Sequence, residues 1–187
     1  MNKISSFLKL VRLKNLLIIT LTQVIIKFTL INAYLEKSAL SNVDFSFYLF
    51  ALITIVAGGY IINDIYDVAT DKINKEEKRI IDKIIKKETA IKAYYIFNLI
   101  GIASGFYAAY QVEKMWFGII FVYFAISLWR YSKQHKTSFI IGNLQVAFLT
   151  ALSIINLALY DLIPIGIIGN EPKIIFYIIL FYAGFAF

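Results

Sequence analysis

The sequence predicts an all-α bundle of membrane-spanning helices, organised as a single domain over residues 1–187. Three observations carry that prediction. The chain is 60% hydrophobic and 17% aromatic, where a water-soluble domain of this length sits nearer half apolar; its mean hydropathy is +0.72. The apolar residues are gathered into runs close to the roughly 20 residues that a helix needs to cross a bilayer. The positive charges alternate from one connection to the next.

The runs occur in order at residues 16–34, 45–62, 91–110, 115–129 and 139–160. The fourth is short but flanked by aromatics, as expected of a span anchored at both interfaces. A sixth run begins at Ile174 and is still apolar at Phe187. As helix it rises only about 21 Å, short of a hydrocarbon core of about 30 Å. The expectation is therefore five spans plus an incomplete sixth, in a fragment cut inside its last helix. The basic start precedes an apolar run too long for a signal-peptide core and without a small-residue cleavage site, so it reads as a retained first helix.

The net charge of +7 could suggest a nucleic-acid partner, but its placement argues for topology instead. Lys3, Lys9, Arg12 and Lys14 precede the first run. Lys72, Lys75, Lys78, Arg79, Lys83, Lys86, Lys87 and Lys92 fall between the second and third, and Arg130, Lys133 and Lys136 between the fourth and fifth. The alternate connections hold Lys37, Lys114 and Lys173, so the split is fifteen to three, with Lys27 inside the first run. The positive-inside rule then places the N-terminus and the 63–89 connection in the cytoplasm, in a multi-pass protein of the cell membrane, and surplus charge faces anionic lipid. Cysteine is absent, which excludes disulfides and thiolate metal sites, and His135 alone cannot build a zinc site. In the 63–89 connection the pairs Ile80-Ile81 and Ile84-Ile85 recur at helical spacing, predicting a partly helical segment on the membrane surface. Pro164, Gly166, Gly169 and Pro172 predict a turn-rich connection before the last run.

The chemistry concentrates in "NDIYDVATD". At about 100° per residue, Asn63, Asp64, Asp67 and Asp71 share one helix face within an arc of roughly 100°. Like charges at this spacing repel unless a cation sits among them. Oxygen-only ligands favour a hard divalent ion such as magnesium, which takes one or two carboxylates plus substrate phosphates. The bases that follow, including Lys72, Lys75 and Arg79, could hold the remaining phosphate oxygens. A solvated loop would not need the regular spacing, and no calcium loop of the D-x-[DN]-x-[DN]-G type is present.

Two further clusters share this side of the membrane. "RLKNLL" opens the first helix; Arg12 and Lys14 read equally as topological anchors, whereas the Asn15 amide gains little without a partner. "WRYSKQHKTSFIIGNLQVAFLTAL" brings Tyr131, Ser132 and Lys136 to the same face, with Asn143 and Gln145 as amides that need partners or a polar cavity. Lys27 either snorkels outward or serves a cavity. The aromatics are expected to be mostly lipid-facing or interfacial.

These motifs resemble the UbiA-type intramembrane prenyltransferases. "NDIYDVATD" fits their N-D-x-x-D-x-x-x-D motif. "RLKNLL" looks like their first-helix start, with Asn15 at the asparagine. Arg79 looks like the arginine after the first motif, although Ile80 stands where a proline often follows. "YSKQHK" and "GNLQVAFLTAL" are similar to Y-S-x-x-x-K and G-N-x-x-V-A. The resemblance implies about nine helices around a cavity open to membrane and cytoplasm. It implies Mg2+ held at Asn63, Asp64, Asp67 and Asp71, and a second aspartate motif that would follow a sixth helix, so the fragment is expected to be inactive by itself. The partners implied are a polyprenyl diphosphate and a lipophilic or phosphorylated acceptor, either a quinone precursor or geranylgeranylglycerol phosphate. Asp64, Asp67, Arg79, Tyr131 and Lys136 would then be catalytic, and Asn15, Asn63, Lys72, Lys75, Arg79, Ser132 and Asn143 would bind substrate.

Two alternatives compete. A CDP-alcohol phosphotransferase also places aspartates at a membrane face, but its D-G and A-R pairs and later G-x-x-x-D-x-x-x-D are missing. An ion-coupled transporter would place its acids near the bilayer midplane on broken helices, not at the edge of an apolar run.

Overall fold

The structure, a computed structural model, describes residues 3–35, 38–74, 76–135, 139–165 and 170–185. Its elements are helical. A short helix, α1 (Lys3–Leu10), precedes α2 (Leu13–Ile25). α2 runs through a wide π-turn (Ile26–Ile31) into a last turn, α3 (Asn32–Tyr34). The long α4 (Asn42–Asn74) and α5 (Lys87–Gln111) form an antiparallel pair, followed by α6 (Gly118–Arg130), α7 (Phe139–Leu162) and α8 (Asn170–Phe185). Four stretches are long and apolar enough to cross a membrane: Leu13–Ile31, Asn42–Ile73, Met115–Gln134 and Ile140–Leu162. α5 matches them in length, but Glu88, Lys92, Asn98 and four tyrosines dilute its apolar character.

α4 is the axis of the bundle. From Asn42 to Ile62 it rises about 31 Å, the thickness of the hydrocarbon core. It continues as helix through Asn74, so the acidic motif lies on its own protruding turns rather than in a loop. Close approach of α5 depends on absent side chains. A Cβ on Gly101 would lie 2.6 Å from the Thr54 hydroxyl and 3.1 Å from the Ala51 carbonyl, and one on Gly105 would lie 2.3 Å from the Phe121 ring. Small residues at such crossings substitute for the hydrophobic effect, which is weak between helices in lipid.

Two cores result. At the end carrying the N-terminus, the basic end, Leu10, Leu16, Ala57, Ile61, Ile65 and Ile81 cluster. The 76–86 connection, expected to be partly helical, is helical over a single turn. It has one 3-10 turn (Glu76–Lys78), then a tight turn in which the Ile80 carbonyl accepts from the amides of Lys83, Ile84 and Ile85. Asp82 takes a left-handed φ of 61° there, and Ile81 is driven into the core at 1% exposure. Toward the opposite end the core is aromatic. Tyr48, Phe117, Phe121 and Tyr160 are fully buried, with Tyr48 and Tyr160 ring centroids 5.1 Å apart. Many other aromatics are exposed, as expected, whereas these fill the space between α4, α6 and α7. The Tyr160 hydroxyl donates to the Gly105 carbonyl at 3.1 Å, a bond open only where no side chain shields that backbone.

Lys27 neither snorkels nor faces a cavity. Within the π-turn it points inward, and its Nζ meets Asp161 Oδ2 at 2.5 Å, both side chains fully buried. It also donates to the Leu40 carbonyl at 2.8 Å and to the Ser38 hydroxyl. Asp161 Oδ1 accepts from Ser38 Oγ at 2.6 Å and from the Leu40 amide at 3.0 Å. The pair therefore staples α2, α7 and the chain before α4 at the end opposite the acids. Pro172 falls in the first turn of α8 rather than in a connection, a position where its missing N–H is harmless. Gly166 and Gly169 lie outside the described residues.

Candidate functional site

The site is built outward from α4. Helical spacing places Asn63 and Asp67 one turn apart, and the Asn63 amide donates to Asp67 Oδ2 at 3.1 Å. Asp64, rotated by one residue, faces α2 instead, and its Oδ1 lies 3.5 Å from Arg12 Nη2. Asp67 and Asp71 are near enough to act on Asp64 electrostatically. Among the described residues, no three Asp, Glu or His side chains converge to hold a metal by themselves. The donor set is all oxygen, which fits a hard divalent cation that takes one or two carboxylates here and completes its shell from a ligand or water.

Arg12 reaches this site because the chain turns there. α1 closes as the Arg12 amide donates to the Lys9 carbonyl, and α2 opens as the Asn15 amide donates to the Arg12 carbonyl. Arg12 itself is left-handed, with φ 53°, a conformation that costs a non-glycine residue on the order of 1–2 kcal/mol. The turn swings its guanidinium over the Tyr60 ring, 4.7 Å from the centroid. Tyr60 lies one helical turn before Asn63 and Asp64, and its hydroxyl accepts from the Asn15 amide at 3.2 Å.

Behind these groups opens a cavity of about 370 Å³. Its mouth is polar: Arg12, Asn15, Tyr60, Asn63 and Tyr131. Its shaft is apolar: Ile19 from α2, Leu52 and Val56 from α4, Phe124 and Leu128 from α6, and Val146 and Leu149 from α7. Gly59 lets the Leu128 side chain of α6 pack directly against α4 beside the shaft, since a Cβ there would sit 2.8 Å from it. Thr150 and Ser153 close the far side, their hydroxyls turned to the backbone carbonyls of Val146 and Thr150. Along α4 the shaft from Asn63 to Leu52 spans about 17 Å. A cationic, amide-rich mouth over a long apolar shaft has the shape and polarity of an amphiphile with an anionic head.

The structure thus brings Asn15, Asn63 and Tyr131 to one mouth, with Asp64 and Asp67 beside it. Other candidates lie elsewhere. Ser132 is buried and donates to the Leu128 carbonyl at 2.9 Å, within its own helix. Asn143 is exposed on α7, away from the cavity, whereas Gln145 pins α7 to α6 through the Ser127 carbonyl at 2.7 Å. Arg79 bonds Glu76 at 2.9 Å and keeps a buried Nε without a protein partner; it does not line the cavity. Asp71 is half-buried and Lys72 exposed on the last turns of α4. Lys75 and Lys136 lie outside the described residues. The mouth residues that sequence reasoning did not single out are Arg12, read there equally as a topological anchor, and Tyr60. The available signal was spacing: Tyr60, Asn63, Asp64 and Asp67 share one face at helical intervals.

These features define a class, the multi-pass helical membrane protein with an internal amphipathic chamber. The chain belongs to the UbiA prenyltransferase family, whose pattern matches residues 25–187. That membership sets aside the transporter and CDP-alcohol readings; Arg12 and Asn15 precede the matched segment. Among similar proteins, the digeranylgeranylglyceryl phosphate synthase of Saccharolobus solfataricus is 40% identical over 100 residues, covering 54% of this chain and 34% of the relative. The same-named protein of Ignicoccus hospitalis is 31% identical over 161 residues, covering 82% of this chain and 46% of the relative. The chain thus spans between a third and a half of the length of such relatives. A solved structure described as "Structural and mechanistic insights into the biosynthesis of Digeranylgeranylglyceryl phosphate synthase in membranes" superposes with a TM-score of 0.74 at 25% identity, covering 98% of this chain and 60% of that one.

Proposed function

We propose that this chain binds a prenyl diphosphate and takes part in moving its prenyl group to the free hydroxyl of a prenylated glyceryl phosphate within the cell membrane. The observation that carries the reading is the chamber: a polar mouth with Arg12 and the α4 acids, continuous with an apolar shaft. The names of the relatives favour the glyceryl phosphate acceptor over a quinone precursor. The basic end faces the cytoplasm in this reading.

The diphosphate rests at the mouth, with Arg12 and the Asn15 and Asn63 amides donating to its oxygens, and the chain fills the shaft. A divalent cation held by Asp64 or Asp67, with Asp71 near, would supply further neutralisation of the leaving group; magnesium is the ion best matched to such a site. The bond from the allylic carbon to the diphosphate oxygen breaks, and its electron pair leaves with the diphosphate. The acceptor hydroxyl oxygen bonds to that carbon and its proton passes to water at the mouth. Phe124 and Tyr131 line the chamber, where aromatic rings would stabilise the developing positive charge, and the apolar walls exclude water from it.

The test is incorporation of labelled geranylgeranyl diphosphate into lipid by the protein in vesicles, with and without a chelator and magnesium. Chelator-sensitive labelling of a glyceryl phosphate acceptor is the expected result. Labelling that ignores both the metal and the Asp67→Asn substitution would sink the site assignment. Lipid analysis of a strain lacking the gene decides the acceptor.

A further inference from the structure

The three donors at the mouth are not held alike. Asn63 is buried within α4 and tied to Asp67 on its own helix. Arg12 and Asn15 come from the start of α2, and both are exposed. A long exposed side chain such as Arg12 has many rotamers to lose when a ligand fixes it. Its contact with Asp64, at 3.5 Å between partly solvated groups, is too loose to order it. One residue of α4 meets both donors. The Tyr60 ring lies beneath the Arg12 guanidinium, 4.7 Å from the centroid, and the Tyr60 hydroxyl accepts from the Asn15 amide at 3.2 Å. Tyr60 is itself half-buried, packed on the core that holds Leu10, Leu16 and Ala57, and it lines the mouth of the chamber.

Both contacts leave donors over. The ring attracts the guanidinium charge without taking up an N–H, and the hydroxyl takes only one of the two amide hydrogens of Asn15. A donor held in place before its ligand arrives loses less freedom on binding. We infer that Tyr60 is a positioning residue, which fixes Arg12 through its ring and Asn15 through its hydroxyl so that both present donors to the diphosphate. The two halves of one side chain thus serve two different residues of α2. This role rests on the prenyl diphosphate reading above, in which Tyr60 itself has no part.

The experiment measures binding of a non-reacting geranylgeranyl thiolodiphosphate to the purified protein by calorimetry, for wild type, Tyr60→Phe and Tyr60→Leu. Tyr60→Phe keeps the ring and should weaken binding about threefold, the share of the Asn15 bond. Tyr60→Leu removes the ring contact as well and should weaken it about tenfold. The same changes are then made beside Arg12→Ala and Asn15→Ala. With Arg12→Ala the Phe and Leu variants should bind alike, because the ring has no guanidinium to hold. With Asn15→Ala the Tyr60→Phe change should cause no further loss. A residue that merely packs would give the same losses in every background, and that result overturns the positioning role, as does wild-type affinity in folded Tyr60→Phe and Tyr60→Leu. Tyr60→Phe removes a single atom, so its pairing with Asn15→Ala decides even if Tyr60→Leu does not fold. These outcomes leave the functional reading standing, whereas failure of wild type to bind the thiolodiphosphate overturns both.

Discussion

The two ends of the bundle each carry an acid paired with a base, and the pairs could hardly differ more. At the basic end Arg12 and Asp64 lie 3.5 Å apart with side chains 44% and 27% exposed. At the other end Lys27 and Asp161 lie 2.5 Å apart with nothing exposed. The first pair is loose, partly solvated and backed by a cavity. The second has its hydrogen bonds supplied by Ser38 and Leu40 and no open space beside it. Charge inside a membrane protein therefore has two uses here, told apart by what else satisfies it. The open pair has capacity left for a ligand, and the closed pair has spent its capacity on the fold.

The largest expected effect tests the closed end. Asp161→Ala leaves Lys27 buried without a counter-charge and should cost about 3–5 kcal/mol, read as a lowered unfolding midpoint in detergent. The double variant Lys27→Met with Asp161→Leu should recover most of that loss. A single variant as stable as wild type would erase the contrast between the ends. Next, Asp67→Asn at the open end should lower prenyl transfer about 10²–10³-fold and leave the unfolding midpoint near that of wild type. Arg12→Ala sharpens the contrast further. Its exposed pair should contribute under about 1 kcal/mol to stability, while loss of a charge-assisted bond worth about 1.5–3 kcal/mol should weaken prenyl diphosphate binding at least tenfold; calorimetry and melting on one preparation separate the two. Smallest is Tyr160→Phe, which removes one buried hydroxyl bond to Gly105 and should cost about 1 kcal/mol. An equal loss from Tyr60→Phe at the mouth would show that the two ends are built alike.

The helices were legible because long apolar runs have few alternatives, and the acidic face was legible because its spacing is helical. The length of α4 was less so: hydropathy stops near Ile62, and the helix continues through Asn74 because Asp64, Asp67 and Asp71 interrupt its apolar character without breaking it. The aromatic core was hidden for a reason peculiar to membranes. Lipid and protein interior are both apolar, so hydrophobic periodicity does not separate Tyr48 from a lipid-facing tyrosine such as Tyr95. Lys27 stood out as a charge inside an apolar run, open to snorkelling or to a cavity role, but its partner Asp161 is 134 positions away and only the fold brings them together. Arg12 looked like any cation at a helix start until its left-handed turn was seen to aim it.

The unbroken run of α4 also has a mechanical consequence. One hydrogen-bonded rod carries both the apolar stretch that matches the bilayer and the acids that project from it, so the height of the acids above the hydrocarbon is set by lipid thickness. In a bilayer a few ångströms thicker, Asn63 sinks toward the acyl chains; in a thinner one, the mouth rises clear of the headgroups. Each ångström costs only a fraction of a kcal/mol, but the displacement acts where a headgroup must meet the site. The membrane is then a gauge against which this rod is cut, and changing acyl-chain length should tune the protein without touching a residue.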